Sequence, residues 1–222
     1  GGGHVAAGAG KGIRWLKADE VPDGEWAFLG YKGEQGYAAV MVDRVPSELT
    51  PMSLRVLGPM IAPDEASLAV HAVGLARWHQ THPHCARCGT LTVMAQAGHT
   101  RTCPSCGAEH FPRTDPAVFM LITDGDDRAL LGRQPSWPEG RFSTLAGFVE
   151  PGETLDYAVR RGVLDEVGIA VGDVHYAGSQ PWPSPSSPIR GFFVTALPSH
   201  SQVESVGALP GRASTWTDFT LL

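Results

Sequence analysis

The chain of 222 residues has few cysteines, no long apolar run and no excess of positive charge. Each shortage excludes something. Lys and Arg number 17 against 23 Asp and Glu, a formal net charge of −6, so no broad nucleic-acid-binding face is expected. An acidic chain can still handle an anionic substrate if a divalent metal ion screens the two. No apolar run approaches the ~18–20 residues that a membrane-spanning helix needs, and no membrane partner is expected. The opening "GGGHVAAGAGKG" has no basic segment ahead of a long apolar core, so it does not read as a secretory signal. Its small residues read as a frayed terminus or an expression remnant. No internal repeat is visible. With 42% apolar and 18% charged residues, the composition is that of an ordinary globular protein, long enough for one large domain or two to three small ones.

All four cysteines, Cys85, Cys88, Cys103 and Cys106, fall in one short stretch. "CARC" and "CPSC" flank residues 89–102, and each pair is followed closely by a glycine. Two such knuckles deliver four thiolates to one tetrahedral zinc at about 2.3 Å. The alternative of two disulfides, or of inert buried thiols, fits the paired spacing poorly. A site with four thiolates has no open position for water, so the zinc is expected to be structural. Clustered cysteines also suit a reducing compartment, and the cytoplasm is expected. His82 and His84 lie near, but the coordination sphere is already filled, and both are read as ordinary polar residues.

Three regions follow along the chain: residues 1–81, a cysteine-bearing segment 82–113, and 114–222. The first mixes the strand-like runs "AFLGYKG" and "YAAVMVDRV" with a helix over Pro63 to His82. Asp64 is expected to cap that helix, and Leu68, Val70, Val73, Leu75 and Trp78 supply its apolar side. The third region begins with a buried-strand candidate, Ala117 to Thr123, and a "GDD" turn at Gly125 to Asp127 leading into "RALLGRQ". "FSTLAGFVE", a helix, "VHYAGSQ" and "GFFVTAL" follow, with the Pro/Ser-rich "PWPSPSSP" between the last two. The order is α/β or α+β, with one helix across a mixed sheet.

The chemistry concentrates in "GFVEPGETLDYAVRRGVLDEVGI", Gly147 to Ile169. Thr154 suits an N-cap, Asp156 the positive N-terminal turn and Gly168 a C-terminal stop. Leu155, Val159, Val163 and Val167 recur every fourth residue as a buried seam. At about 100° per residue, Ala158, Gly162, Asp165 and Glu166 share one arc, and Glu153 can fold back toward it. Clustered carboxylates point either to magnesium or manganese held by oxygen ligands, or to a solvated acidic face. Periodicity alone favours neither.

Gly147, Glu153, Arg161, Val163, Asp165, Glu166, Gly168 and Ile169 together resemble the Nudix box. "SQPWP" at Ser179 to Pro183, and a four-cysteine ribbon ahead of the box, resemble the NADH pyrophosphatase branch of the Nudix hydrolases. The resemblance runs from about Arg55 to Leu197. It implies a Nudix α/β/α sandwich with a mixed sheet, preceded by a zinc ribbon and a small α+β N-terminal domain. It implies metal-dependent hydrolysis of the pyrophosphate of NAD or NADH to nicotinamide mononucleotide and AMP, and in some members removal of NAD caps from RNA. Alternatives are an impaired dinucleotide-binding protein, or a Nudix hydrolase for ADP-ribose or another nucleoside diphosphate derivative.

By position, the resemblance makes Glu153, Arg161, Asp165 and Glu166 catalytic, with Arg161 pairing with Glu153. It assigns magnesium or manganese to Asp165, Glu166 and the carbonyl of Ala146, and zinc to Cys85, Cys88, Cys103 and Cys106. Substrate contacts would come from Arg55, Phe111, Phe148 and the loop Gln180, Pro181, Trp182, Pro183, Ser184, Pro185, Ser186 and Ser187. Phe111 would reach in from a second subunit, which implies a homodimer. Four features depart from the pattern. Gly162 and Asp165 stand where the family has glutamates, and Ser184 stands where an aromatic is expected. Pro188 and Arg190 stand where apolar residues would enter a strand. After Leu197 the likeness fades: Ala213 replaces another metal-binding glutamate, and the tail reads as divergent or truncated. Gly162 is expected to lower the rate.

Overall fold

Most elements follow from local signals. The structure is a computed structural model that describes residues 4–7, 12–124, 128–182, 187–197 and 213–218. The Gly125–Asp127 turn and Pro183, Ser184, Pro185 and Ser186 of the loop expected to contact substrate lie outside the described residues. Two compact units are present, Gly1–Thr114 with Trp182–Ser186 and Asp115–Pro181 with Ser187–Leu222.

In the first unit, β1 (His4–Ala7) pairs with β4 (Thr50–Ser53), so part of the opening segment read as frayed is a strand. β2 (Glu25–Lys32) and β3 (Gln35–Met41) form an antiparallel hairpin. A single turn, α1 (Leu54–Leu57), precedes the long helix α2 (Pro63–Thr81). α2 buries Ala69, Val73, Leu75, Trp78 and His79. Leu68 and Val70, expected on that face, are half-buried. Asp64 does not cap the helix: Pro63 takes the first turn, where its missing N–H is no loss, and Ala62 is the N-cap. Asp64 therefore lies inside the first turn, where a carboxylate is favoured, and pairs with Lys32.

The ribbon strands β5 (Val93–Ala95), β6 (Thr100–Thr102) and β7 (Glu109–His110) form a three-stranded antiparallel sheet. Buried Arg101 in β6 donates to Thr92 Oγ1 at 2.7 Å, to Thr92 O at 2.8 Å and to His79 Nδ1 at 3.0 Å. Since His79 Nδ1 accepts, its Nε2–H donates to the Gly98 carbonyl at 2.8 Å. Burial holds the His79 pKa below its ordinary value, which keeps the ring neutral as this arrangement requires. Only glycine fits at 98: φ is +92°, and a Cβ there would lie 2.6 Å from that of Ala27.

In the second unit, β8 (Ala117–Thr123), β9 (Arg128–Arg133), β10 (Leu145–Phe148), β11 (Val171–Trp182), β12 (Ser187–Ala196) and β13 (Ala213–Asp218) form one mixed sheet. Its order is β11-β12-β8-β9-β13, with β10 also paired to β8. β12 runs parallel to β8, while β9 and β10 are antiparallel to it. Pro188 is tolerated in β12 because the register with β8 starts one residue later, at Ile189 opposite Ala117. The helix α3 (Leu155–Val167) covers one face, and is the one helix of this unit among the described residues. Val159 and Val163 are fully buried against Val118, Met120 and Ile122, with Leu155 and Val167 partly buried beside them. The class is α+β with a mixed sheet.

Candidate active site and zinc centre

α3 begins and ends as its sequence dictates. The Thr154 hydroxyl accepts from Tyr157 N–H at 3.3 Å, and Gly168 closes the helix with φ of +72°. Ahead of it, a turn through Gly152 (φ +90°) brings Glu153 back beneath the helix. Glu153 Oε1 accepts from Arg161 Nε, and Oε2 accepts from Arg161 Nη2 at 2.9 Å and from Glu150 N–H at 2.9 Å. The pairing of Arg161 with Glu153 is thus two-pronged. Arg161 hydrogen bonding first, then the Glu150 amide, holds the Glu153 carboxyl below its usual range. Glu153 pushes the Arg161 pKa higher still. Arg161 also donates to the Phe148 carbonyl at 3.0 Å and approaches Asp165 Oδ2 at 3.4 Å. One guanidinium therefore ties together the loop, the strand before it and the carboxylate a turn later.

Asp165 is exposed and Glu166 half-buried, while Ala158 and Gly162 on the same arc are buried. The arc straddles the boundary of the core. A side chain at Gly162 would start 3.3 Å from Met120 Cε, so the position faces the sheet and not only solvent. Val149 N–H donates to Pro116 O at 3.0 Å, which directs residues 147 and 149 toward β8. By strand alternation, Ala146 and Phe148 turn their carbonyls to the other edge. The Phe148 carbonyl meets Arg161 there, and Ala146 offers its oxygen on the same side.

These groups suit a magnesium or manganese ion that keeps most of its water and takes one or two carboxylates. Asp165, Glu166 and the Ala146 carbonyl have the right chemistry. Glu153 is committed to Arg161. Among the described residues, the carboxylates do not converge on one point: the one group of three or more His, Cys, Asp or Glu whose ligand atoms lie within 4.8 Å of one another is the four cysteines.

That second centre is well formed. All four cysteines are free thiols, with Cys85–Cys106 Sγ at 3.7 Å and Cys88–Cys103 Sγ at 3.4 Å. A tetrahedron with bonds of 2.3 Å has edges of about 3.8 Å, so the cage is close to zinc size. The knuckles are equivalent: Gly89 N–H donates to Cys85 O and Gly107 N–H to Cys103 O, both at 2.9 Å. Hydrogen bonding with Thr90 draws the Cys88 thiol down to about 6, while Cys106, despite the Ala108 amide, is pushed up to about 11 by the thiols of Cys103 and Cys88 that crowd the same cage. His110 Nε2 lies 3.3 Å from Cys85 Sγ, a neighbour the sequence reading missed because it attended to His82 and His84.

Of the expected substrate contacts, Phe111 in the first unit and Phe148 in the second are exposed, at 61% and 56%. Within the first unit, the Arg55 guanidinium lies 5.6 Å from the centroid of the Trp182 ring, a cation–π contact. Gln180 and Pro181 are exposed at the end of β11, and Ser187 is buried with its hydroxyl unpartnered among the described residues.

Residues 113–216 match the NUDIX domain, and residues 80–111 match the NADH pyrophosphatase zinc ribbon domain. A similar curated protein is the NAD-capped RNA hydrolase NudC of Mycobacterium bovis, 45% identical over 169 residues, which are 76% of this chain and 53% of that protein. The NAD-capped RNA hydrolase NUDT12 of Homo sapiens is 40% identical over 149 residues, 63% of this chain and 32% of that protein. The chain spans about half the length of the NudC relatives it matches. Among solved structures, a NUDIX hydrolase from Nitrosomonas europaea aligns over 53% of this chain and 69% of its own, with 22% identity and a TM-score of 0.45. The chain thus carries a NUDIX domain and, ahead of it, an NADH pyrophosphatase zinc ribbon domain.

Proposed function

We propose that the protein is a metal-dependent NAD(H) diphosphatase, which splits the pyrophosphate bond to give nicotinamide mononucleotide and AMP. The observation that carries this is the Arg161–Glu153 clamp inside a matched Nudix domain, with Asp165 and Glu166 one turn beyond. The names of the NudC and NUDT12 relatives add NAD-capped RNA as a second substrate of the same chemistry.

A divalent ion, magnesium or manganese, supplies charge neutralisation of the phosphate oxygens and eases deprotonation of the attacking water. Asp165 and Glu166 would hold it, with the Ala146 carbonyl. Glu153 and Arg161 do not take the proton: locked together, they fix the loop against the helix so that the two carboxylates keep their positions. That leaves Glu166, the more buried of the pair, as the acceptor of the water's proton. Phe111 and Phe148 are read as the aromatic faces that receive nicotinamide, Phe111 from a second subunit of a homodimer. Arg55 and the loop from Gln180 to Ser187 are read as further substrate contacts. The organisation proposed is an N-terminal domain to residue 81, a ribbon at 82–113 holding structural zinc, and a Nudix domain from 114. The compartment proposed is the cytoplasm.

One observation favours a second reading, a protein that binds dinucleotide and hydrolyses it slowly. Gly162 is buried against Met120 and offers no carboxylate where the family pattern has one. Incubation of purified protein with NADH and magnesium or manganese separates the readings by whether nicotinamide mononucleotide and AMP form.

A further inference from the structure

Arg190 occupies a position on β12 built for an apolar residue. Its neighbours two and four residues on, Phe192 and Val194, are buried in the core under α3. By the pleat, Arg190 shares their face. It pairs with Val118 of β8, and Val118 pairs in turn with Gly147 of β10, the first residue of the Nudix box. Arg190 therefore stands in the sheet row that leads into the catalytic loop.

Its Nη1 is enclosed and has no hydrogen-bond partner among the described residues. A guanidinium keeps its proton in proteins, so burial cannot be relieved by neutralisation. An uncompensated charge at the edge of a core is strongly unfavourable unless an anion meets it. The box position that could have furnished a carboxylate on this face is Gly162, which has none. Room exists in the same row: a side chain on Gly147 would meet nothing within 4 Å. A planar guanidinium suits phosphate oxygens, which it can grip in pairs.

We propose that Arg190 is a substrate-binding residue whose guanidinium holds phosphate oxygens of the diphosphate group over Gly147. The inference rests on the reading of the chain as a dinucleotide diphosphatase. Arg190 makes up, on the substrate's side, for positive charge that a less acidic helix recruits less well as metal.

The test is calorimetric binding to the full chain with magnesium present, using inorganic pyrophosphate, NADH and uncharged adenosine as probes. Arg190→Met should weaken pyrophosphate and NADH by about tenfold to a hundredfold and leave adenosine unchanged. Arg190→Lys should fall between the two. Unliganded Arg190→Met should melt no lower than the parent, because a charge whose enclosed Nη1 meets no partner among the described residues has been removed. Should the Met variant fail to fold, Arg190→Lys and Arg190→Gln carry the same comparison. Pyrophosphate affinity unchanged within about twofold in Arg190→Met, or no pyrophosphate binding by the parent, overturns the assignment. Arg190-dependent pyrophosphate binding without any NADH cleavage leaves Arg190 standing and removes the hydrolase reading. NADH cleavage with the same KM in parent and Arg190→Met does the reverse.

Discussion

Arg161 grips Glu153 through both carboxylate oxygens, and the Nη2 that meets Oε2 also donates to the Phe148 carbonyl at 3.0 Å. The loop between β10 and α3 is thus held shut by one side chain. A lysine has the charge and three donors but not the planar fork that meets both carboxylate oxygens and the carbonyl in a fixed geometry. Arg161→Lys should lower kcat/KM for NADH by about tenfold or more, through misplacement of the loop. Arg160→Lys is the control: Arg160 meets Asp156 at 2.9 Å and the Val171 carbonyl at 2.8 Å, away from the clamp, and activity should hold.

Acid should open the same clamp. Arg161 lowers the Glu153 pKa in the folded state, so the pair's stabilisation is fully present above the ordinary glutamate value of 4.5. It is lost as pH falls from there through the lowered folded value. Melting temperature measured between pH 3 and pH 6 should therefore drop on the acid side, and Glu153→Gln should flatten that drop. Equal acid slopes in both proteins would show that Glu153 does not contribute.

The zinc centre should behave as a folding element. Elemental analysis should give about one zinc per chain, and Cys103→Ser should lower the melting temperature far more than it lowers kcat of the surviving folded protein. Absence of zinc in freshly reduced protein, or disulfide mass shifts, would contradict the site.

The contrast between this centre and the carboxylates explains what the sequence could reveal. Cysteine spacing is local, and the two knuckles form as their spacing implies. The caps of α3 and the bounds of β8 are equally local, and they match. Gly162 is different. Helical periodicity placed it with Asp165 and Glu166, but which part of the arc meets the sheet depends on Met120, far away in the chain. Asp64 left its expected capping role because Pro63 starts the helix and Lys32 comes near only in the fold. The Arg101–His79 pair and the His110–Cys85 contact are likewise long-range and carry no local signature. Arg190 was visible as an odd residue in a strand, but its unpartnered nitrogen was not.

Gly162 gives the sharpest test of the helix. Gly162→Ala should stabilise α3 by up to about 1 kcal/mol of helix propensity, less whatever the 3.3 Å approach to the flexible end of Met120 takes back. Gly162→Glu adds a carboxylate beside Asp165 and Glu166, and should raise NADH hydrolysis at saturating magnesium by at least about tenfold. If alanine and glutamate give the same rate, the missing oxygen is not what limits this site.

The central claim is that the helix carboxylates of this Nudix domain cleave the NADH pyrophosphate. The most direct measurement is product analysis of NADH incubated with the zinc-loaded full chain and magnesium or manganese, beside Glu166→Gln. The account predicts nicotinamide mononucleotide and AMP in equal amounts, formed slowly by the parent and reduced by about two to three orders of magnitude in Glu166→Gln. NADH that binds the parent yet remains intact with either metal would contradict it.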